Sequence, residues 1–274
     1  MTTATTKLYY ILEEKNHSVA RWLYKFFNRE PLWQDLTAVN LKKFTNYLHI
    51  HLSPNSARTY LAELKAVINL YKSEVDIPSV NLKQVIRTKV VRSTHCYLSI
   101  DELYKLEQLE NLSKTQTIVR DMFLLQAWTG CRLSDAGLLT TDNITGNTLS
   151  YTSQKTQIFA SVPIKPLVRE ILEKHGRVEV LNRVTYNRIV HQLCEMAGID
   201  EEVTIWESGK RTTGKKYKFI SSHSARRSFA TNLYEAGIHI NKISYMMGHS
   251  ETTMTERYIC SNMEINNELV EFFK

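Results

Sequence analysis

Apolar residues recur at steps of three and four along three stretches of the first ninety residues, a period that predicts helices. Residues 8–27 and 39–48 carry it. Residues 56–71 carry it most clearly, with Ala57, Tyr60, Leu61, Leu64, Val67, Ile68 and Tyr71 on one face after a Ser53-Pro54-Asn55-Ser56 start signal. Arg21, Lys25, Lys42, Lys43, Arg58 and Lys65 fall on the other faces, so this part reads as a small helical bundle with a basic exterior. The period fades over residues 76–98, around Pro78 and scattered lysines and arginines. A linker is therefore placed near 85–95, dividing the chain into domains 1–90 and 91–274.

Ser99-Ile100-Asp101-Glu102 reads as a capping box opening a helix through Leu103, Leu106 and Leu109. Residues 117–128 are apolar on nearly every side, as a helix central to a second core would be, and Gly130 ends it. The period then falls to two. Residues 147–153 and 157–164 predict a β-hairpin with Lys155 at its tip. Helical spacing returns over 185–197, turning Tyr186, Ile189, Val190 and Leu193 inward and Asn187, Arg188 and His191 away. Residues 203–207 and 216–221 read as a second hairpin around a basic loop holding Lys210 and Arg211. Short helices separated by Gly237 and Gly248 follow, then a tail over 261–274. The fold class is mainly α with small β-hairpins.

Composition narrows this picture. The 274 residues are 43% hydrophobic and 23% charged, and no apolar run is long enough to span a bilayer, which excludes disordered and membrane-spanning readings. No export signal is recognised, and Cys96, Cys131, Cys194 and Cys260 suit neither zinc ligation nor a disulfide framework, so a reducing cytoplasm is expected. The net charge of +7 lies wholly in residues 1–92, where 14 Lys and Arg stand against 7 Asp and Glu. Such asymmetry predicts an N-terminal domain that faces a polyanion.

Three places in the second domain hold polar groups that folding alone would not ask for. Thr129-Gly130-Cys131-Arg132-Leu133-Ser134-Asp135 puts a guanidinium at the end of the most apolar helix, with a carboxylate three residues on. His223-Ser224-Ala225-Arg226 opens the next long helix, and its i, i+3 spacing gathers two cationic donors near a helix N-terminus, an anion site in outline. Gly248-His249 precedes a short helix expected to bear Tyr258. Two other motifs are set aside. Gly209 to Lys215 fits the first seven places of a phosphate-binding P-loop, but Lys216 stands where a hydroxyl should meet magnesium, and a strand is expected next. His49 and His51 diverge on a helix, so no metal site is expected.

The ordered set resembles the tyrosine recombinases, or phage-type integrases, through TGCRLSD, the hairpin TSQKTQ, HSARRSFATNLYEAG, MMGHS and TERYI. The likeness covers residues 93–260 at the level of motifs, and residues 1–90 only as a helical bundle of suitable size. It implies a SAM-like core DNA-binding domain followed by a mixed α/β catalytic domain. By that resemblance Arg132 and Arg226 clamp the scissile phosphate, Tyr258 attacks phosphorus to give a 3′-phosphotyrosyl link, and His223 accepts the phenolic proton. Lys155 donates a proton to the leaving 5′-oxygen, His249 hydrogen-bonds the phosphate, and Asp135 braces the arginines, although many relatives carry glutamate there.

The implied function is site-specific recombination of double-stranded DNA at defined sites, without metal, nucleotide or other cofactor. A type IB topoisomerase-like relaxing enzyme and a non-catalytic DNA-binding regulator are the alternatives. Lys42, Lys43, Arg58, Lys65, Asn187, Arg188, His191, Lys210 and Arg211 are candidate DNA contacts. A homo-tetramer on DNA joined through the C-terminal tail is expected, with room for accessory directionality or DNA-bending proteins, in the cytoplasm beside the nucleoid or in the host cytoplasm of a phage.

Overall fold

A computed structural model describes residues 7–86, 93–178, 180–207 and 210–260. The C-terminal tail and part of the expected linker lie outside these described residues. The chain forms two compact units that divide at Ser93–Thr94, except that Trp206–Arg211 group with the first.

The first unit is helical: α1 (Leu8–Phe27), α2 (Ala38–His51), α3 (Pro54–Tyr71) and a short α4 (Leu82–Val85). Leu8, Leu12, Leu23, Phe44, Leu48, Leu61 and Leu64 form its core, the face that the three-and-four spacing selects. The capping signals act as read: the Thr37 and Ser53 side chains accept from Asn40 and Ser56 amides, and Pro54 occupies the first turn of α3. One feature was not anticipated. Asn16 leaves helical geometry inside α1 at φ −157° and ψ 86°, and its Oδ1 accepts from the Val19 amide at 3.1 Å, so it caps the helix that resumes there. Its amide also donates to Glu63.

The second unit opens with α5 (Ile100–Glu107) behind the Ser99 capping box, followed by α6 (Lys114–Thr129) and α7 (Leu133–Ala136). Helix α6 begins three residues earlier than its apolar run because Ser113 and Gln116 form a second capping box. Val119, Met122, Phe123, Leu124 and Leu125 of α6 are buried in the core, as expected for the helix at its centre. Gly130 ends it in the left-handed region at φ 69°. Asp121 is buried within α6 at 2% exposure, yet it is answered by Arg120 (2.8 Å), Lys174 (2.9 Å) and His175 (2.7 Å), which hold its carboxyl below the usual range against the opposing effect of burial.

Strands β1 (Ile144–Thr145), β2 (Thr148–Thr152) and β3 (Phe159–Pro163) form an antiparallel sheet in that order. The sequence suggested a two-stranded hairpin; a two-residue β1 is too short to show a period. In the register Leu149 faces Val162 and Tyr151 faces Ala160, which places all four in the core. Helices α8 (Pro166–His175) and α9 (Arg183–Met196) follow, the first of them unread in the sequence.

The second hairpin is shifted from its expected position. It pairs β4 (Glu202–Glu207) with β5 (Lys210–Lys215), and Lys216–Phe219 is a 3₁₀ turn, not a strand. Thr204 and Thr213 hydroxyls meet across the pair at 2.8 Å. Lys216 then pulls the chain off the ladder, its ammonium held by Glu102 at 2.7 Å and Glu201 at 2.9 Å. Helices α10 (Ser222–Glu235), α11 (Ile240–Met246) and α12 (Thr252–Glu256) complete the unit, with α10 packed along α6. Among the described residues no helix is long and apolar enough to cross a membrane, and no three His, Cys, Asp or Glu side chains are grouped to hold a metal ion.

Candidate active site

Arg226 is the organising group. It lies in the first turns of α10 with 1% of its surface exposed. Its guanidinium donates to the carbonyls of Gly130 and of Met247 (3.3 Å) and to Nε2 of His249 (2.9 Å). Its Nε–H is buried with no partner among the described residues. Main-chain carbonyls and a histidine thus hold this cation, and none of these three acceptors carries the negative charge that a buried guanidinium ordinarily meets.

His249 is buried beside it, and Nδ1 of the ring meets the Thr255 hydroxyl at 2.9 Å. Burial first, then the charges of Arg226 and Arg132, depress its pKa from 6.5 to about 4. The ring is therefore neutral at pH 7: Nε2 accepts from Arg226, which leaves Nδ1–H to donate to Thr255. Both nitrogens are engaged inside the protein, whereas the resemblance implies a hydrogen bond from this ring to the phosphate. The folded chain binds a proton at His249 less readily than the unfolded chain, so stability falls as pH drops from about 6.5 to about 4. The loss attributable to this ring is on the order of 2–3 kcal/mol, and urea unfolding midpoints across that window should decline less steeply in His249→Gln than in the wild type.

Arg132 is the N-cap residue of α7 and is largely buried. Its closest approach to Asp135 is 4.0 Å, beyond hydrogen-bond reach. The gap is filled by a residue that sequence reasoning missed: the Ser153 hydroxyl accepts from Arg132 Nη1 at 2.7 Å and donates to Asp135 Oδ2 at 2.9 Å. The other Asp135 oxygen accepts the Gln154 amide at 3.1 Å. Lys155 follows directly, exposed in the turn between β2 and β3.

Tyr258 lies two residues past the end of α12, not on a helix as expected, with its amide donating to Thr255 at 2.8 Å. Its ring centroid lies 5.4 Å from that of His249 and 6.5 Å from that of His223, and 5.3 Å from the guanidinium carbon of Arg226. Arg227 stands at the same 5.3 Å and donates to the Arg257 carbonyl at 3.2 Å. The motif's i, i+3 spacing points to Arg226 and gives no sign of Arg227. The His223 side chain lies near the surface; loss of surrounding water, then the charges of Arg227, Arg226, Arg183 and Arg132, hold its pKa below the ordinary value. A neutral imidazole is the form that can take a proton. Arg132, Arg226, His223, His249 and Tyr258 are thus gathered in one place, with Asp135 behind them through Ser153; Lys155 is exposed two residues beyond Ser153 on the same turn.

Several candidate DNA contacts have other partners. Asn187 Oδ1 accepts the Ser222 amide at 3.1 Å, and His191 Nε2 bonds to the Ile220 carbonyl at 2.8 Å, so both support the start of α10 from α9. Only Arg188 of that trio is exposed. Removing this acceptor in Asn187→Ala should lower the urea midpoint by the equivalent of about 1 kcal/mol. Lys65 is half-buried and donates to the Ile86 carbonyl at 2.7 Å, which turns its ammonium inward. Lys42, Lys43, Arg58, Lys210 and Arg211 are exposed.

Comparison with known proteins places the chain in a family. An inferred integrase of Pseudomonas phage Pf1 is 27% identical over 210 residues, 74% of this chain and 56% of that protein, so the chain spans about half the length of this curated relative. A lambda integrase dimer bound to a core site shares the fold with a TM-score of 0.69 at 19% identity, over 96% of this chain and 93% of that one. The Tn1549 transposon integrase in complex with a circular-intermediate DNA does so at 0.68 and 15% identity, over 99% and 95%. Residues 97–264 match the phage integrase family, a stretch that includes Arg132, Lys155, His223, Arg226, His249 and Tyr258. With more than half of its length inside that match, the chain belongs to the phage integrase family.

Proposed function

We propose that the chain is a site-specific DNA recombinase that breaks and rejoins strands through a 3′-phosphotyrosyl intermediate. The observation that carries the reading is Arg226: a buried guanidinium held by neutral acceptors, with an orphaned Nε–H, beside a tyrosine. Such a group lacks only an anion, and a phosphodiester supplies one. Arg226 and Arg132 take the non-bridging oxygens. Tyr258 Oη attacks phosphorus, its proton passing to His223, while the P–O5′ bond breaks and Lys155, on its turn, protonates the departing oxygen. Attack by a 5′-hydroxyl of the partner strand reverses these steps and restores the phenol. The phosphotyrosine conserves the phosphodiester's energy, so no nucleotide is consumed. His249, neutral and doubly bonded, holds Arg226 in place.

In this reading residues 1–90 bind core DNA through their positive excess and residues 91–274 perform the chemistry, with affinity falling as salt rises. Lys42, Lys43 and Arg58, together with Arg188, Lys210 and Arg211, reach the backbone. The tail over 261–274 joins copies in a tetramer on paired sites, with accessory proteins setting direction, in the cytoplasm that houses the target DNA. The test is a duplex from the DNA flanking its gene, nicked beside the cleavage point. Protein should become covalently attached to it with chelator present, and two such sites should exchange strands. Absence of an adduct overturns the reading, and relaxation of any plasmid without exchange replaces it with a topoisomerase.

A further inference from the structure

Ser153 occupies a junction to which the proposed roles assign nothing. Its hydroxyl is the link between Arg132 and Asp135, whose own approach of 4.0 Å is too long for a hydrogen bond. The same residue closes the turn that bears Lys155: its amide donates to Ile158 at 3.0 Å and its carbonyl accepts from Gln157 at 2.8 Å. Asp135 grips the next residue as well, through the Gln154 amide at 3.1 Å. Ser153 is 1% exposed, so these bonds form away from competing water.

We propose that Ser153 is a positioning residue that sets Arg132 and the Lys155 turn in one register, so that the group holding the phosphate and the group protonating the leaving oxygen move together. The inference rests on the recombinase reading. A hydroxyl suits the place because it accepts and donates at once, as the Arg132 donor and the Asp135 acceptor require. Alanine keeps the backbone bonds and removes only the link. Arg132 then faces Asp135 across the gap, free to swing, and the turn loses its tie to the guanidinium. A misplacement of about 1 Å is enough to slow such chemistry by about a hundredfold.

The test measures covalent adduct formation on the nicked duplex in single turnover, with DNA affinity and thermal unfolding followed in parallel. Ser153→Ala should form adduct about tenfold to a hundredfold more slowly while binding DNA within about threefold of the wild type. Ser153→Thr, which keeps the hydroxyl, should retain most of the rate. Asp135→Glu in the Ser153→Ala background should recover at least about tenfold, since one more methylene lets the carboxylate reach Arg132 directly. A recovery of rate without a matching recovery of melting temperature identifies positioning, not folding. Equal adduct rates in wild type and Ser153→Ala overturn this proposal alone, as does failure of the glutamate to recover any rate. No adduct from the wild type overturns the recombinase reading and this proposal with it.

Discussion

Tyr258→Phe should abolish covalent attachment to DNA, to below about 10⁻⁴ of the wild-type rate, while leaving DNA affinity within about threefold. The substitution removes one oxygen. The ring keeps its place against His249 at 5.4 Å and the guanidinium groups of Arg226 and Arg227 at 5.3 Å, and the amide bond to Thr255 is untouched. Binding and chemistry should therefore separate cleanly in a gel-shift assay run beside a denaturing gel of the nicked duplex. Adduct that persists in the variant would point to a different nucleophile. The first to examine would be Cys260, whose sulfur lies 3.6 Å from the Tyr258 carbonyl. Burial raises that thiol's pKa, which makes it a poor nucleophile and supports the phenol as the attacking group.

Arg226→Lys should slow adduct formation by about 10²–10³-fold even though the charge is retained. The guanidinium spans three acceptors, Gly130 O, Met247 O and His249 Nε2, and presents a fourth donor edge with no partner among the described residues. A single ammonium cannot reach all three positions and still offer a forked face to a phosphate. Buried carbonyls left without donors should also lower stability by about 1–3 kcal/mol, visible as an earlier urea midpoint. DNA affinity, which draws on many phosphate contacts, should change far less than the rate. A lysine variant within tenfold of wild type would show that the fork geometry is unimportant here.

Much of this architecture was legible in the sequence. The helices of the first unit and the central α6 follow from three-and-four spacing with capping residues, and the convergence of Arg132, His223, Arg226, His249 and Tyr258 follows from ordered motifs that individually say little. What escaped has identifiable causes. The break at Asn16 is hidden because apolar spacing continues across it and only the amide reveals it by capping Val19. The second hairpin was displaced because Tyr217 and Phe219 look like strand residues, while the deciding bonds run from Lys216 to Glu102 and Glu201. Asn187 and His191 were assigned outward from their position on α9, but the neighbouring start of α10 offers unsatisfied backbone groups that draw both side chains in. Ser153 was invisible for a related reason: a serine beside a hairpin tip carries no signal until a carboxylate and a guanidinium are found on either side of it.

Gly130 has a consequence of another kind. Its left-handed backbone aims its carbonyl at Arg226, and a methyl group added there would meet the Phe229 ring at 2.5 Å, so no residue with a side chain fits this turn as it stands. The cation's seat is thus furnished largely by the polypeptide itself. An exchange of neighbouring side chains leaves that carbonyl where it is, provided that a residue lacking a Cβ stays at the turn. The site's most durable part is then the one with no side chain to lose.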